Sequence, residues 1–129
     1  MSVGTVCNDD LHEIQSAMAE SDMVEVSESV TATVTIAAAV AGKRGAVAFA
    51  LFKSSGAGNT IQFAYGSGPT NLGGAIELND GESYEIKPAD LLPVQAPEGE
   101  ALKVIVTINA GGVDGEIVPV YNKVRGVVS

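Results

Sequence analysis

Gly45-Ala46-Val47-Ala48-Phe49-Ala50-Leu51-Phe52-Lys53-Ser54-Ser55-Gly56-Ala57-Gly58-Asn59-Thr60-Ile61-Gln62-Phe63-Ala64-Tyr65 lies at the heart of the segment that decides the fold, residues 29–76. That segment holds three bases (Lys43, Arg44, Lys53) and no acid. Apolar and small residues alternate along it. It then breaks at 54–59 and again at Gly66-Ser67-Gly68-Pro69-Thr70-Asn71. Short alternating runs separated by Gly-rich turns read as antiparallel strands.

Outward from there the same pattern continues. Val24 and Val26, then Val30, Ala32, Val34, Ile36 and Ala38, share one parity, and Thr31, Thr33 and Thr35 occupy the other. This predicts a half-buried strand with a Thr-rich outer face, because β-branched Thr resists helix and tolerates exposure. In residues 45–52 the expected inward set is Val47, Phe49 and Leu51, which leaves Ala46, Ala48, Ala50 and Phe52 outward. Ile61, Phe63 and Tyr65 share a face, as do Tyr84 and Ile86. Asn79-Asp80-Gly81-Glu82 is a turn. Lys87 to Pro93 holds two prolines and reads as a connection, with Leu91 and Leu92 plugging an end of the core. Leu102, Val104, Val106 and Ile108 mark a central strand. Pro119 in the last strand lacks an amide, so that strand is an edge or carries a bulge there. Seven or eight such strands predict an all-β fold, an antiparallel β-sandwich of jelly-roll kind.

Residues 1–22 are different. Leu11, Ile14 and Met18 are apolar at helical spacing behind Asn8-Asp9-Asp10, which suits a helix N-terminus. A helix over about 9–20 would be marginal alone. It forms only against its own domain or a neighbour, and an extended arm is the other reading. The expected division is an N-terminal arm, 1–22, and a sandwich domain, 23–129.

Composition narrows the function. The chain has 129 residues and a formal net charge of −9, which argues against nucleic-acid backbone as a partner. Residues 1–28 carry seven acids and no base, and residues 77–129 carry nine acids and four bases. Cys7 and His12 are the lone Cys and His, so no zinc cluster and no internal disulfide is expected. Apolar runs fall far short of the ~20 residues that span a bilayer. The acidic start lacks the pattern of a secretory leader. The expectation is a chain made in a cytoplasm, without membrane partners and without cofactors.

Four constellations carry possible chemistry. His12 near Asp9, Asp10 and Glu13 has the makings of a base, but no nucleophile is poised beside it. Asp80, Glu82 and Glu85 surround the 79–82 turn, with Glu98, Glu100 and Asp114 expected at the same end. Hairpin chemistry explains them without calcium. Gly56-Ala57-Gly58-Asn59 does not continue as a phosphate loop. Tyr65, Tyr84 and Tyr121 are the residues for a sugar platform. None points to catalysis. The outward set Ala48, Ala50 and Phe52, with Leu11, Ile14 and Met18 of the arm, is too apolar for a wet surface and is the expected interface.

Certain motifs carry a resemblance. Val34-Thr35-Ile36-Ala37-Ala38-Ala39-Val40-Ala41-Gly42-Lys43-Arg44, Leu51 to Phe63, Gly73-Gly74-Ala75-Ile76-Glu77-Leu78 and Pro97-Glu98-Gly99-Glu100-Ala101-Leu102-Lys103-Val104 resemble the turns and strands of small structural proteins of tailed bacteriophages. The resemblance covers about 30–121. It implies a β-sandwich on the virion. The role implied is that of a capsid decoration or cement protein, commonly a homotrimer on the outer shell, whose arm clamps the major capsid protein. It implies no catalytic residue. An adhesin or glycan-binding module on a phage fibre or spike is the competing reading.

Overall fold

In the computed structural model, the described residues are Ile14, Gln15, Met18 and 22–123. The nine strands are β1 (Val24–Glu28), β2 (Ala32–Ala37), β3 (Lys43–Ser54), β4 (Asn59–Tyr65), β5 (Thr70–Asn71), β6 (Ile76–Leu78), β7 (Ser83–Ile86), β8 (Leu102–Thr107) and β9 (Val113–Lys123). One sheet runs β1-β9-β3-β7 and the other β2-β8-β4-β5, with β6 also on β4. Every pairing is antiparallel. β5 and β6 lie along the same side of β4, opposite Ala64–Tyr65 and Asn59–Ile61, and are pieces of one edge strand broken around Gly73-Gly74. Counted as one, they make eight strands, ordered first-eighth-third-sixth and second-seventh-fourth-fifth. That order is a jelly roll. Among the described residues no helix is long and apolar enough to cross a membrane.

The run from Val24 to Ala38 is not one strand. It turns at Ser29–Thr31, so β1 lies in one sheet and β2 in the other. The Thr31 hydroxyl accepts the Ile108 amide at 3.0 Å and holds this corner.

The core fills the space between the sheets. Val26, Val47, Ala50, Phe52, Ile86, Val113 and Ile117 come from the first sheet, and Ile36, Ile61, Phe63, Leu78, Leu102, Val104 and Val106 from the second. Phe52 and Phe63 meet edge to face at 6.1 Å. Gly115 lies opposite Phe52, and a Cβ there would come within 2.7 Å of its ring.

One irregularity reverses the expected facing of β3. Its register against β9 shifts between Val47 and Phe49, so Ala48 is the extra residue of a bulge. Before the bulge Val47 points inward as expected. After it Ala50 and Phe52 are fully buried in the core, while Phe49 and Leu51 face out. Ala50 and Phe52 are therefore core residues and not part of an outer interface. Pro119 sits opposite Val47, at this bulge and just past the last residue paired with β1, Ile117. β9 is thus a central strand that accommodates a proline where its neighbours are irregular.

The end of the sandwich beyond Ser54 is stapled. Asn59, fully buried, donates from Nδ2 to Ser54 Oγ at 3.0 Å and to the Ala110 carbonyl at 2.8 Å. Its Oδ1 accepts the amides of Asn109 (2.7 Å) and Ala110 (3.1 Å). Ser54 Oγ donates to the Gly56 carbonyl at 2.6 Å. A Cβ on Gly56 would overlap the Ala110 carbonyl, so glycine lets the two loops touch.

Candidate functional site

Two sheets leave two outer faces. On the β1-β9-β3-β7 sheet, Glu25, Glu116, Leu51 and Glu85 form one outward row, and Ser27, Asp114, Lys53 and Ser83 form the next. Beyond the bulge the same face becomes apolar, through Phe49 and Val118 to Ala46, Ala48 and Val120. The last three are buried, although they lie on the far side of the sheet from the core.

What buries them is the chain's own N-terminal segment. Ile14, Gln15 and Met18 are helical. Ile14 and Met18 are four apart, hence on one side of the helix. Ile14, only 6% exposed, forms a second apolar cluster with Ala46, Ala48 and Val120, and Met18 and Leu92 pack against it. The expected interface residues thus separate. Ile14, Met18 and Ala48 come together, Ala50 and Phe52 do not join them, and Leu11 lies outside the described residues. The helix reading is met at Ile14, Gln15 and Met18.

Leu92 is the wall of this groove, and the backbone that places it is strained. Leu91 and Leu92 have φ of 59° and 56°, a left-handed region that costs an L-residue with a Cβ about 1–2 kcal/mol each. The turn before them, Pro88–Asp90, is closed by the Lys87 amide donating to the Asp90 carboxylate at 2.8 Å. Gln95 Nε2 donates to the Leu92 carbonyl at 3.0 Å, and Asn122 Nδ2 donates to Gln95 Oε1 at 3.2 Å. The main chain of Val94–Ala96 is tied to β3 through Val47 N to Val94 O and Ala96 N to Gly45 O. Neither leucine plugs an end of the core, contrary to the expectation for the 87–93 connection. Leu92 faces the outer cluster and Leu91 is 41% exposed.

The remaining constellations do not assemble. His12, Cys7 and their neighbours lie outside the described residues. Among the described residues no group of three His, Cys, Asp or Glu is arranged to hold a metal. Glu82 Oε1 instead accepts the Asn79 amide at 2.7 Å and closes its own turn. Glu98 and Glu100 sit at the Lys43 end of β3, where the Gly99 amide bonds Lys43, whereas Asp80 and Glu82 sit at the Ser54 end. Twelve residues of strand, roughly 35 Å at ~3.3 Å each, separate them. Tyr65 and Tyr84 pack against the core, and the Tyr121 hydroxyl donates to the Ala38 carbonyl at 2.7 Å. The three do not make a shared flat platform for a sugar.

No family model matches the chain, and no curated protein matches it. Among solved structures, a chain from the structure of infectious bursal disease virus Gx strain aligns with a TM-score of 0.40 and 15% identity over 80% of this chain. The alignment covers 31% of that longer chain. Likeness at this level assigns neither family nor function.

Proposed function

We propose that this chain is a structural virion protein that decorates and cements the outer surface of a phage capsid, acting by contact with the major capsid protein and with copies of itself as a homotrimer. The observation that supports it is the apolar outer face of the β1-β9-β3-β7 sheet, with the N-terminal segment lying on it. Phe49, Leu51 and Val118 remain accessible on that face beside the Ala46–Ala48–Val120 floor that the chain's own Ile14 covers, a row more apolar than a face meant to stay wet presents. The motif resemblance in residues 30–121 points the same way. The buried polar side chains Ser54 and Asn59 spend their hydrogen bonds on holding loops together, which suits a rigid scaffold.

The test is binding to particles from which the protein has been stripped, read beside a density map of the native particle. The map should place the chain on the shell exterior. Replacing Leu51 and Phe49 by Ser should weaken capsid binding at least tenfold while the circular dichroism spectrum stays that of a β protein. Saturation of the capsid with unchanged affinity, or density elsewhere in the particle, overturns the proposal.

A further inference from the structure

We infer that the N-terminal segment is an exchangeable clasp, and that the groove of one copy takes Ile14 and Met18 from a second copy of this chain. The inference deepens the self-contact in the function proposed above, but it does not need a capsid to be true.

The first support is where the contact lies. The Ile14–Ala46–Ala48–Val120 cluster is on the opposite side of the sheet from the main core. The core is closed without it, so release of the segment uncovers a shallow floor and leaves the sandwich intact.

The second support is that the receptor is built without its occupant. The floor is made of small residues on adjacent paired strands, Ala46 opposite Val120 and Ala48 in the bulge. The wall is Leu92, held in a left-handed backbone conformation by the Gln95 and Asn122 hydrogen bonds. None of those bonds involves the N-terminal segment. A backbone kept in this conformation to set one leucine beside a groove marks a feature shaped for an insert.

The third support is the tether. Five residues lie between Met18 and Val24, and the six steps reach roughly 20 Å when extended. Asp22 and Met23, the described part of this tether, are exposed. Beside the groove β9 runs on to Lys123, whereas its pairing with β1 stops at Ile117. Among the described residues no strand flanks Val118–Lys123 on that side, which leaves an approach for a segment from another molecule. The same contacts form within a chain or between chains, which is the low-cost condition for exchange.

Two complementary variants of the full chain test this. Ile14→Asp with Met18→Asp keeps the groove and spoils the clasp. Ala48→Glu keeps the clasp and spoils the groove. Each alone should sediment as a monomer of 13.1 kDa, and an equimolar mixture at high micromolar concentration should show a species of twice that mass. A mixture that stays monomeric overturns the inference, and so does either variant dimerising alone, since the contact would then lie elsewhere. If Ala48→Glu fails to fold, a fluorescent peptide of residues 8–21 titrated into the Ile14→Asp, Met18→Asp chain reads the same groove. Saturable binding supports the clasp, and no binding up to millimolar peptide overturns it. Because no capsid is present, failure here is distinct from failure of the decoration reading.

Discussion

Across the outer face of the β2-β8-β4 sheet run Thr33, Ile105 and Gln62 in one row and Thr35, Lys103 and Ala64 in the next. Across the other outer face run Glu25, Glu116, Leu51 and Glu85, then Phe49 and Val118, then the buried Ala46, Ala48 and Val120. Both faces are built on paired antiparallel strands of similar alternation. The first satisfies itself: threonines stay wet, and Gln62 Nε2 donates to the carbonyls of Phe63, Leu72 and Gly73. The second is unfinished without a cover. Glu25 and Glu116 even stand directly opposite each other, a cross-strand pair that favours an approaching cation. One face is therefore mostly solvent skin while the other seats the chain's own N-terminal segment, and the difference lies in the apolar run from Phe49 and Val118 to Ala46, Ala48 and Val120.

Six substitutions bear on that contrast. The largest effect is expected for Val120→Asp, which sets a carboxylate beneath Ile14 and should cost about 2 kcal/mol in urea unfolding, the point at which the segment lifts off and the charge reaches water. Thr33→Asp on the other face should stay within about 0.5 kcal/mol. Equal losses would erase the distinction between the faces.

Ile14→Ala comes next. Its loss is capped at about 2 kcal/mol, because the segment can lift off without opening the core. The first Lys or Arg is Lys43, so trypsin does not report on the segment, but a Glu-specific protease has Glu13 and Glu20. Cleavage there should speed up roughly tenfold, the equivalent of about 1.4 kcal/mol. An unchanged rate would show that Ile14 does not anchor the segment.

Leu91 and Leu92 separate strain from contact. Leu91 is exposed, so Leu91→Gly should stabilise by about 1 kcal/mol and raise the melting temperature by a few degrees. Leu92→Gly relieves the same strain and forfeits the groove wall, so it should gain less or lose stability. Identical shifts for the two would mean that Leu92 packs nothing of value. The smallest change belongs to Ile105→Thr, which should alter stability by less than about 0.5 kcal/mol and leave any self-association untouched.

Much of this architecture is legible in the chain. The Thr parity of residues 31–35, the inward run Leu102-Val104-Val106 and the turn at Asn79–Gly81 are read directly from alternation and turn chemistry. Period-2 reasoning fails at Ala48 because a bulge inserts one residue and every later side chain changes face. Nothing in Ala46-Val47-Ala48-Phe49-Ala50 marks the place, since either parity offers apolar residues. That single slip moved Ala50 and Phe52 from the expected interface into the core, and brought Phe49 and Leu51 out. Ile14 and Met18 were legible as an apolar pair. Their seat is not legible: the alternation offers Ala48 as an interface residue without pairing it with the arm, and Leu92 reaches the site through left-handed backbone that Leu does not advertise. Asn59 reads in the sequence as turn composition. Its burial and its bonds depend on residues 109–112, about fifty positions away, and no local signal reports a partner that distant.

The Asn59 staple also divides the loops into those that will accept foreign sequence and those that will not. Residues 55–58 are locked against Ala110–Gly112, with no room even for a methyl at Gly56. Gly68, Gly73 and Gly74 have open space where a side chain would be, in the connection around β5 that joins β4 to β6. A peptide epitope inserted after Gly74 would keep Gly73, with its φ of 70° and its carbonyl bonded to Gln62, and would sit at the edge of the second sheet, a display position that uses neither the groove floor nor the Asn59 bonds.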